Sequence, residues 1–172
     1  EQLNIVNDVR NKRILVAAGP GSGKTRVLVH KVGAILATED VKPEQFLMLT
    51  FSRSAVMEFR SRLWNLIGDI ARHVDIFTYH SFCFHLRGVT PLEDELGSVI
   101  KTTIKEIDDG NLDVTRLKNK SILVVDEFQD LNAEEYTLIQ KIIDISEDLR
   151  VLAVGDDDQN IFGFRKASNE YM

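Results

Sequence analysis

The sequence predicts an α/β domain whose central, mostly parallel sheet carries helices on both faces. Five short apolar runs alternate along the chain with longer segments whose apolar residues recur at helical spacing. The runs are continuously apolar, which is typical of strands that are buried on both faces. Helices between such strands favour parallel pairing. The length of 172 residues, with 44% apolar and 28% charged residues, fits a single globular domain.

The N-terminal half contains three predicted strands and two predicted helices. Residues 13–18 (RILVAA) predict a first strand that leads into a glycine-rich segment. A helix is predicted over 25–37, where the residues at helical spacing are Val27, Leu28, Lys31, Val32, Ile35 and Leu36. Residues 46–51 (FLMLTF) predict a second buried strand, 53–67 a second helix, and 74–79 a third strand.

The C-terminal half continues the alternation. Residues 94–107 predict a helix with one apolar face, closed by an Asp-Asp-Gly turn. Residues 121–126 (SILVVD) and 150–155 (RVLAVG) predict two further strands, with a helix over 133–143 between them. The sequence shows no internal repeat, so the elements form one α/β domain.

Composition excludes several classes of protein. No apolar run approaches the roughly 18 residues that span a bilayer, so no membrane partner is expected. No basic segment followed by an apolar one opens the chain, as a secretory signal would. Cys83 is the single cysteine, which excludes an internal disulfide and fits a reducing compartment. We therefore expect a cytoplasmic protein.

The net charge by itself argues against a nucleic-acid partner, because 21 basic and 27 acidic side chains give −6. The charge is unevenly distributed, however. Residues 1–90 hold 12 basic and 8 acidic side chains, whereas residues 91–172 hold 9 and 19. The basic surplus lies in the half that holds the glycine-rich segment, and this distribution is compatible with nucleic acid.

A phosphate-binding loop is indicated between the first strand and the first helix. Residues 19–25 (GPGSGKT) match the pattern G-x-x-x-x-G-K-[ST] in the strand–loop–helix context that the pattern requires. Glycines let the backbone wrap closely around a phosphate, and the helix N-terminus adds aligned amide donors. Lys24 would reach the β and γ phosphates, and the Thr25 hydroxyl would bind Mg²⁺.

Acidic residues end two later strands. Asp126 and Glu127 follow a buried strand, at the edge of a parallel sheet where ligands bind. Asp126 suits Mg²⁺, and Glu127 suits the orientation and deprotonation of a water molecule. A capped turn is the alternative interpretation of this pair, and the phosphate loop in the same chain disfavours it. Asp156, Asp157 and Asp158 follow another strand, where turn or capping roles are favoured, and the neutral Gln159 suits contact with phosphate or water.

Six ordered motifs resemble those of the UvrD/Rep/PcrA helicases of superfamily 1. The matching segments are Glu1-Gln2 for the Q motif, 17–25 for motif I, 49–55 for motif Ia, 78–82 for motif Ib, 126–130 for motif II and 154–165 for motif III. The resemblance implies a RecA-like P-loop NTPase domain that uses ATP and Mg²⁺. It also implies 3′→5′ translocation on single-stranded DNA with strand separation, in DNA repair, replication or recombination.

The resemblance also implies roles for residues at matching positions. Gln2 would contact adenine with Arg26 packed nearby, and Lys24, Thr25, Asp126 and Glu127 would act as described above. The nucleotide would also contact Ala18, Gly19, Pro20, Gly21, Ser22 and Gly23. Gln129 and Gln159 would couple the γ-phosphate to the DNA side.

The residues that the resemblance places along the DNA are Thr50, Phe51, His80, Phe162, Phe164 and Arg165. Aromatic stacking suits a motor that must tolerate any base sequence. Phe51 and Phe162 fit the apolar core equally well, and this choice stays open. His80, Cys83 and His85 lack a fourth ligand and the spacing of a tetrahedral metal site, so a helix entering the core explains them better.

The chain also departs from the family pattern. Arg53-Ser54 stands where motif Ia usually has Asn-Lys, and Phe164 stands where motif III commonly has Trp. Residues 84–120 leave room for only a reduced, mainly helical insertion in place of the large 1B subdomain. No motifs IV to VI follow Arg165, so we expect residues 1–172 to form the first motor domain of a longer protein. Without a second RecA-like domain and its arginine fingers, hydrolysis should be slow.

Three other functions compete with a helicase motor. A helicase–nuclease of the RecB or AddA sort would carry the same motifs and differ beyond Met172. An ATP-gated clamp would hold DNA without unwinding it, but a clamp does not need the water-activating Glu127. A small-molecule P-loop kinase fits least, because nothing in it requires motifs Ia, Ib and III.

Overall fold

A five-stranded sheet, parallel throughout, forms the middle layer of the domain. The computed structural model describes residues 13–17, 23–91, 96–146 and 148–155. The strands are Arg13–Ala17 (β1), Phe46–Thr50 (β2), Asp75–Thr78 (β3), Ile122–Asp126 (β4) and Arg150–Gly155 (β5). Their order across the sheet is β1-β5-β4-β2-β3. The predicted α/β class and parallel sheet are confirmed.

Helices follow or connect the strands. Their bounds are Lys24–Thr38 (α1), Arg53–Ile67 (α2), Tyr79–Arg87 (α3), Val99–Asp108 (α4), Thr115–Lys118 (α5) and Ala133–Ile145 (α6). Three short 3₁₀ turns in the described part of the chain lie at Pro43–Gln45, Gly68–His73 and Phe128–Asp130. The four predicted helices are present, although α4 begins five residues later than the prediction. The predicted third strand, 74–79, is one residue too long at each end, because Val74 caps the end of the preceding 3₁₀ turn and Tyr79 begins α3.

The central strands β2, β4 and β5 bury side chains on both faces of the sheet, which explains their continuous apolar runs, whereas Leu15 on the edge strand β1 is 43% exposed. One face packs against α3, α4 and α6. Its strand residues include Leu47, Leu49, Leu123, Val125, Val151 and Ala153. The other face packs against α1 and α2, and its strand residues include Phe46, Met48, Ile122, Val124, Leu152 and Val154. The alternation of odd and even residues between the two clusters follows from the two-residue period of a strand.

The parallel register brings the carboxyl ends of the strands to one edge. Thr50 pairs with Thr78, Asp126 with Val154, and Ala17 with Gly155. Ligands of open parallel sheets bind at this edge. The register therefore brings the end of β1, the acidic end of β4 and the polar ends of β2 and β3 to the same edge of the sheet.

No helix in the described part of the chain is long and apolar enough to cross a membrane.

Candidate active site

Lys24 stands at the start of α1, facing the acidic end of β4. Its predecessor Gly23 has φ 83 and ψ 24, a left-handed conformation that glycine adopts without steric cost. The Lys24 side chain is only 10% exposed, and its Nζ donates a hydrogen bond to Glu127 Oε2 at 3.0 Å. The structure thus joins two predicted site residues that are 103 positions apart in sequence.

Asp126 is a buried carboxylate at the last position of β4, 6% exposed. Its Oδ1 is buried and has no hydrogen-bond partner among the residues that the structure describes. Burial, followed by the neighbouring charge of Glu127, raises the pKa of Asp126 to about 6. A buried carboxylate oxygen without a hydrogen-bond donor is costly unless it meets a cation.

Glu127 has φ 51 and ψ 47, and it is the one non-glycine residue with positive φ in the described segments. This left-handed conformation is unfavourable for a side chain with a Cβ and is enriched at functional sites. Glu127 Oε2 accepts hydrogen bonds from Lys24 Nζ at 3.0 Å and from Gln129 Nε2 at 2.8 Å. The turn and the two donors together fix the carboxylate at the edge of the sheet.

Gln129 packs against the end of β5, where motif III begins. Its Nε2 also lies 3.4 Å from Asp130 Oδ2. A Cβ added at Gly155 would lie 2.5 Å from two ring carbons of Phe128 and would also collide with Gln129 Oε1. A glycine is therefore required at this position for the motif II turn to approach β5 so closely.

The donor set of the cleft fits Mg²⁺. Thr25 is a half-buried hydroxyl in the first turn of α1, and Asp126 supplies a buried oxygen without a hydrogen-bond donor. Hydroxyl and carboxylate oxygens suit this hard cation, which keeps several other ligands from water and phosphate. In the described part of the chain no group of three or more His, Cys, Asp or Glu side chains could hold a metal by itself. A cation here would therefore depend on the phosphates of a nucleotide.

Three of the predicted DNA contacts are described, and they lie close together along the carboxyl edge. Thr50 ends β2 and is only 1% exposed, which leaves little of its side chain for DNA to touch. Phe51 is half-buried, and its ring centroid lies 5.2 Å from that of Tyr79. The third of these residues, His80, is half-buried in the first turn of α3. Phe51 both contacts the core and reaches the surface, so its two interpretations are compatible.

The helix that carries His80 enters the core as the sequence predicts. Cys83 is fully buried on α3. The His85 ring stacks on Phe77 with centroids 4.8 Å apart. Burial and the hydroxyl of Thr103 act in opposite directions on Cys83, and burial dominates, raising the pKa of its thiol to about 11.

Several predicted site residues lie outside the described residues. They are Gln2, Ala18, Gly19, Pro20, Gly21 and Ser22 on the nucleotide side, and Gln159, Phe162, Phe164 and Arg165 in motif III. Asp156, Asp157 and Asp158 are also outside. Arg26 is described, and it is an exposed residue in the first turn of α1.

Sequence reasoning missed two buried polar residues beside the cleft. The Tyr79 hydroxyl is buried and has no hydrogen-bond partner in the described segments. Burial and the nearby charges of Glu135 and Asp126 raise the pKa of Tyr79. Glu135 is buried in the first turn of α6, where its Oε2 accepts a hydrogen bond from Asn132 N at 3.0 Å. The spacing Asn132-x-x-Glu135 is a capping-box pattern that the sequence does contain.

Known proteins share both the sequence pattern and the fold. The model of a family described as AAA domain matches residues 2–165. The ATP-dependent DNA helicases PcrA of Staphylococcus epidermidis and of Staphylococcus aureus are each 26% identical over 238 aligned positions. Each alignment covers 90% of this chain and 32% of the relative, so the chain spans about a third of the length of these relatives.

A solved structure supports the fold independently. The crystal structure of Pif1 helicase from Candida albicans superposes with a TM-score of 0.56 at 15% identity, covering 90% of this chain and 31% of that one. At this identity the match shows the fold alone, which is that of a helicase RecA-like domain. With a family model that spans almost every residue, the chain belongs to the AAA domain family and resembles the N-terminal motor domain of UvrD/PcrA-like superfamily 1 helicases.

Proposed function

We propose that residues 1–172 form the ATP-binding and ATP-hydrolysing motor domain of a 3′→5′ DNA helicase or translocase that acts on single-stranded DNA in repair, replication or recombination. One observation carries the proposal. Lys24, Glu127 and Gln129 form a continuous hydrogen-bonded chain beside the buried carboxylate of Asp126. This arrangement unites a phosphate-binding lysine with a carboxylate suited to activating water.

The residues of the cleft divide the chemistry between them. Lys24 and the amides at the start of α1 would hold the β and γ phosphates. Thr25 and Asp126 would hold Mg²⁺, which when bound neutralises phosphate charge. Glu127 would accept a proton from the attacking water, and Gln129 would orient the Glu127 carboxylate.

Nucleotide binding should rearrange the pair between Lys24 and Glu127. One ammonium group now contacts the carboxylate at 3.0 Å. A γ-phosphate would compete for that same ammonium, because both ligands are anionic oxygens. We expect the Lys24–Glu127 pair to break when ATP binds, which would free Glu127 to act on water only when substrate is present.

DNA would cross the carboxyl edge at Phe51 and His80, near the exposed Arg53 in the first turn of α2. Phe51 offers a ring face for base stacking. The two positions are neighbours because β2 and β3 pair in register up to Thr50 and Thr78. The relatives named above are DNA helicases, which favours DNA as the polymer.

Residues 84–120 are proposed to replace the large 1B subdomain of the family. The described part of this segment consists of the end of α3, then α4 and α5. The alignment with PcrA runs over 238 positions although the chain has 172 residues, which supports segments in the relatives that are missing here. A second RecA-like domain would complete the ATP and DNA clefts of the whole protein.

The test uses the natural full-length protein and the rate of ATP hydrolysis with and without single-stranded DNA. Lys24→Ala should abolish nucleotide binding and hydrolysis, whereas Lys118→Ala, an exposed change on α5, should leave both unchanged. Absence of stimulation by any DNA or RNA strand would refute the proposal.

A second variant separates a motor from a clamp. Glu127→Gln should retain ATP binding and lose hydrolysis by about 10²–10⁴-fold, the usual contribution of a positioned base. It should also trap DNA in the presence of ATP, whereas the parent protein releases DNA after each cycle. If the parent protein traps DNA to the same extent, an ATP-gated clamp is the better description. Nuclease activity in the full-length protein would instead identify a RecB/AddA-like helicase–nuclease.

A further inference from the structure

The Tyr79 hydroxyl is a buried hydrogen-bond donor without an acceptor. Tyr79 begins α3 and is 1% exposed, and its hydroxyl has no hydrogen-bond partner in the segments that the structure describes. Its aromatic neighbours in the same core cluster, Phe77, Phe82 and Phe84, carry no hydroxyl. A phenylalanine at position 79 would fill the same space without the free-energy cost of a buried donor. The hydroxyl therefore indicates a second state of the domain in which it is bonded.

Glu135 is the acceptor that the surroundings of the hydroxyl favour. Burial, then the charge of Glu135 and then that of Asp126, raise the pKa of Tyr79, so both carboxylates lie near the hydroxyl. Strand alternation distinguishes the two carboxylates. Val125 lies in the core cluster that holds Tyr79, whereas Val124 lies in the cluster on the other face. The Asp126 side chain therefore points to the face that carries α1, and Glu135, in the first turn of α6, is on the same face as Tyr79.

Only one of the two Glu135 carboxylate oxygens accepts a hydrogen bond in the described part of the chain. Oε2 accepts from Asn132 N at 3.0 Å, which completes the capping box at the start of α6. The carboxylate is nevertheless almost withdrawn from solvent, because Glu135 is 5% exposed. A phenol hydroxyl donates and a carboxylate oxygen accepts, so Tyr79 and Glu135 Oε1 are complementary groups. A bond between them would join α3 to α6 at the carboxyl edge.

The Tyr79 ring lies next to a residue assigned to DNA. The Phe51 ring packs on it, with centroids 5.2 Å apart and ring planes at 54°. Phe51 is half-buried, so part of its ring reaches the surface at the carboxyl edge. A base that stacks on this exposed part would press Phe51 against Tyr79, because protein interiors are close-packed and transmit strain. The Tyr79 hydroxyl would move with its ring.

Glu135 is connected to the Glu127 carboxylate through the capping box and the motif II turn. Asn132, whose backbone N–H bonds Glu135, stands two residues after that turn, Phe128–Asp130. At the turn, Asp130 N donates to Glu127 O at 3.0 Å. These short contacts join Glu127 to the start of α6, so a shift of Glu135 would change where the Glu127 carboxylate stands in the cleft.

We propose that Tyr79 is a positioning residue through which bound DNA accelerates ATP hydrolysis. When a base stacks on Phe51, the Tyr79 hydroxyl donates a hydrogen bond to Glu135 Oε1, and the start of α6 moves with it. The motif II turn then holds Glu127 in the position that acts on water. The inference rests on the proposed function, since it requires single-stranded DNA at the carboxyl edge and hydrolysis in the cleft.

The experiment measures the steady-state rate of ATP hydrolysis by the natural full-length protein over a range of oligothymidylate concentrations. Tyr79→Phe removes only the hydroxyl. The maximal rate with DNA should fall about tenfold relative to the rate without DNA, since a hydrogen bond to a charged group changes an equilibrium by at least about that factor. The oligothymidylate concentration that gives half-maximal stimulation should stay nearly the same, because Phe51 and its contact with DNA are unchanged.

Glu135→Gln tests the acceptor. Glutamine also suits the last position of a capping box, so Asn132 N keeps its acceptor. The other polar atom of glutamine is an amide nitrogen, which cannot accept from the Tyr79 hydroxyl. DNA stimulation should therefore fall as it does for Tyr79→Phe, and the double variant should lose no more than either single variant. Tyr136→Phe removes a half-buried side chain's hydroxyl on the same helix and is the control, which should keep full stimulation.

Thermal unfolding separates a positioning role from a structural one. Because the hydroxyl has no partner in the described segments, Tyr79→Phe should leave the unfolding temperature unchanged or raise it. A lower unfolding temperature would show that the hydroxyl is already bonded without DNA, and this result overturns the inference.

The kinetic outcomes separate the inference from the proposed function. Equal stimulation of the parent protein and Tyr79→Phe, or losses that add in the double variant, overturns the inference. The proposed function stands in both cases, because DNA still stimulates the parent protein. If no strand stimulates the parent protein, the proposed function itself is wrong.

Discussion

Glu127 combines an unfavourable backbone conformation with two hydrogen bonds to its carboxylate. A left-handed conformation costs a residue with a Cβ about 1–2 kcal/mol. The bonds from Lys24 and Gln129 offset this cost and aim the side chain at the cleft. A glycine at this position would relieve the backbone but would lose the carboxylate. A glutamate here therefore keeps the carboxylate at the cost of the backbone strain.

Gly155→Ala adds only one methyl group, but it should lower both the stability of the protein and its rate of ATP hydrolysis. The new Cβ would lie 2.5 Å from ring carbons of Phe128, which must move together with Gln129. Such overpacking typically lowers the free energy of unfolding by about 1–3 kcal/mol. Urea unfolding of the two proteins measures this loss, and the rate of ATP hydrolysis should fall as Gln129 shifts.

A matched change is available at Gly97, where a Cβ has nothing within 4 Å. Gly97→Ala should leave the unfolding free energy and the hydrolysis rate close to those of the parent. Equal effects of the two alanines would show that close packing at the end of β5 has no special importance.

Cys83 should resist thiol reagents in the folded protein. Its side chain is fully buried, and burial raises its pKa from 9.0 to about 11, so the reactive thiolate is rare at pH 8.

The raised pKa of Cys83 also makes the stability of the protein depend on pH. Between pH 9 and 11 the unfolded chain loses the thiol proton before the folded chain does, so stability should fall as pH rises, by at most about 1.4 kcal/mol per pH unit.

The measurement for Cys83 is the rate of reaction with a disulfide reagent at pH 8, with and without urea. Unfolding should accelerate the reaction strongly. Urea titrations at pH 8.5 and 10.5, repeated with Cys83→Ser, isolate the contribution of this thiol. Rapid reaction in the absence of urea would contradict the burial of the residue.

Three helices begin at the carboxyl edge with a side-chain cap, and these caps orient the polar edge of the domain. Ser52 accepts from Ala55 N at 3.1 Å at the start of α2. Thr78 accepts from Ser81 N at 3.2 Å at the start of α3. Asn132 accepts from two amides at the start of α6. Because each cap follows a strand closely, it determines how the helix leaves the sheet.

Asn132→Ala should lower the free energy of unfolding by about 1 kcal/mol, the usual cost of losing an N-terminal cap. The reason is that the amides of Glu134 and Glu135 would lose their acceptor. Thermal unfolding followed by circular dichroism measures the change. Asn119→Ala, an exposed change after α5, provides the control and should have almost no effect. A smaller loss for Asn132 than for Asn119 would contradict the role of the cap.

The elements were predictable where one local pattern dominated. The positions of the central strands are predicted correctly because burial on both faces of the sheet makes these strands continuously apolar, as in Phe46–Thr50. The sequence pattern extends the third strand through Tyr79, because a large aromatic ring is typical of strand residues. The local signal against that extension was Thr78 with Ser81, a capping box that begins a helix.

The contacts between distant residues were not predictable in the same way. The motifs placed Lys24 and Glu127 in one site, but their direct pairing depends on the parallel register of the sheet. The close packing of Gly155 on Phe128 leaves no pattern in a single sequence, since glycine after a strand also suits an ordinary turn. The buried hydroxyl of Tyr79 likewise follows only from the packing of α3 against Phe51.

At the scale of the whole molecule, ion pairs connect elements that are far apart in sequence. Lys120 Nζ contacts Asp75 Oδ2 at 2.5 Å and donates to the carbonyls of Glu44 and Phe46. Arg150 pairs with Glu39 at 2.6 Å. Lys120 is buried while its partner Asp75 is 40% exposed, and the side chains of Arg150 and Glu39 are each 22% exposed. The net charge of −6 nevertheless says little about the field along the carboxyl edge, because residues 1–90 carry a surplus of basic side chains and residues 91–172 a surplus of acidic ones.

Binding of this chain to single-stranded DNA should be weak and strongly dependent on salt, because phosphate contacts release counterions from the strand. Arg53 is exposed in the first turn of α2, two residues after Phe51, and is placed to make one such contact. Arg53→Ala should reduce the slope of log K against log salt concentration by about 0.7, the single-strand value for one phosphate. Arg116→Ala is the matched change, because Arg116 is exposed on α5 before the amino end of β4. Fluorescence anisotropy with oligothymidylate at several salt concentrations gives the slopes. Binding that is insensitive to salt, or equal slopes for the two variants, would contradict the prediction that DNA binds at the edge that carries Phe51 and His80.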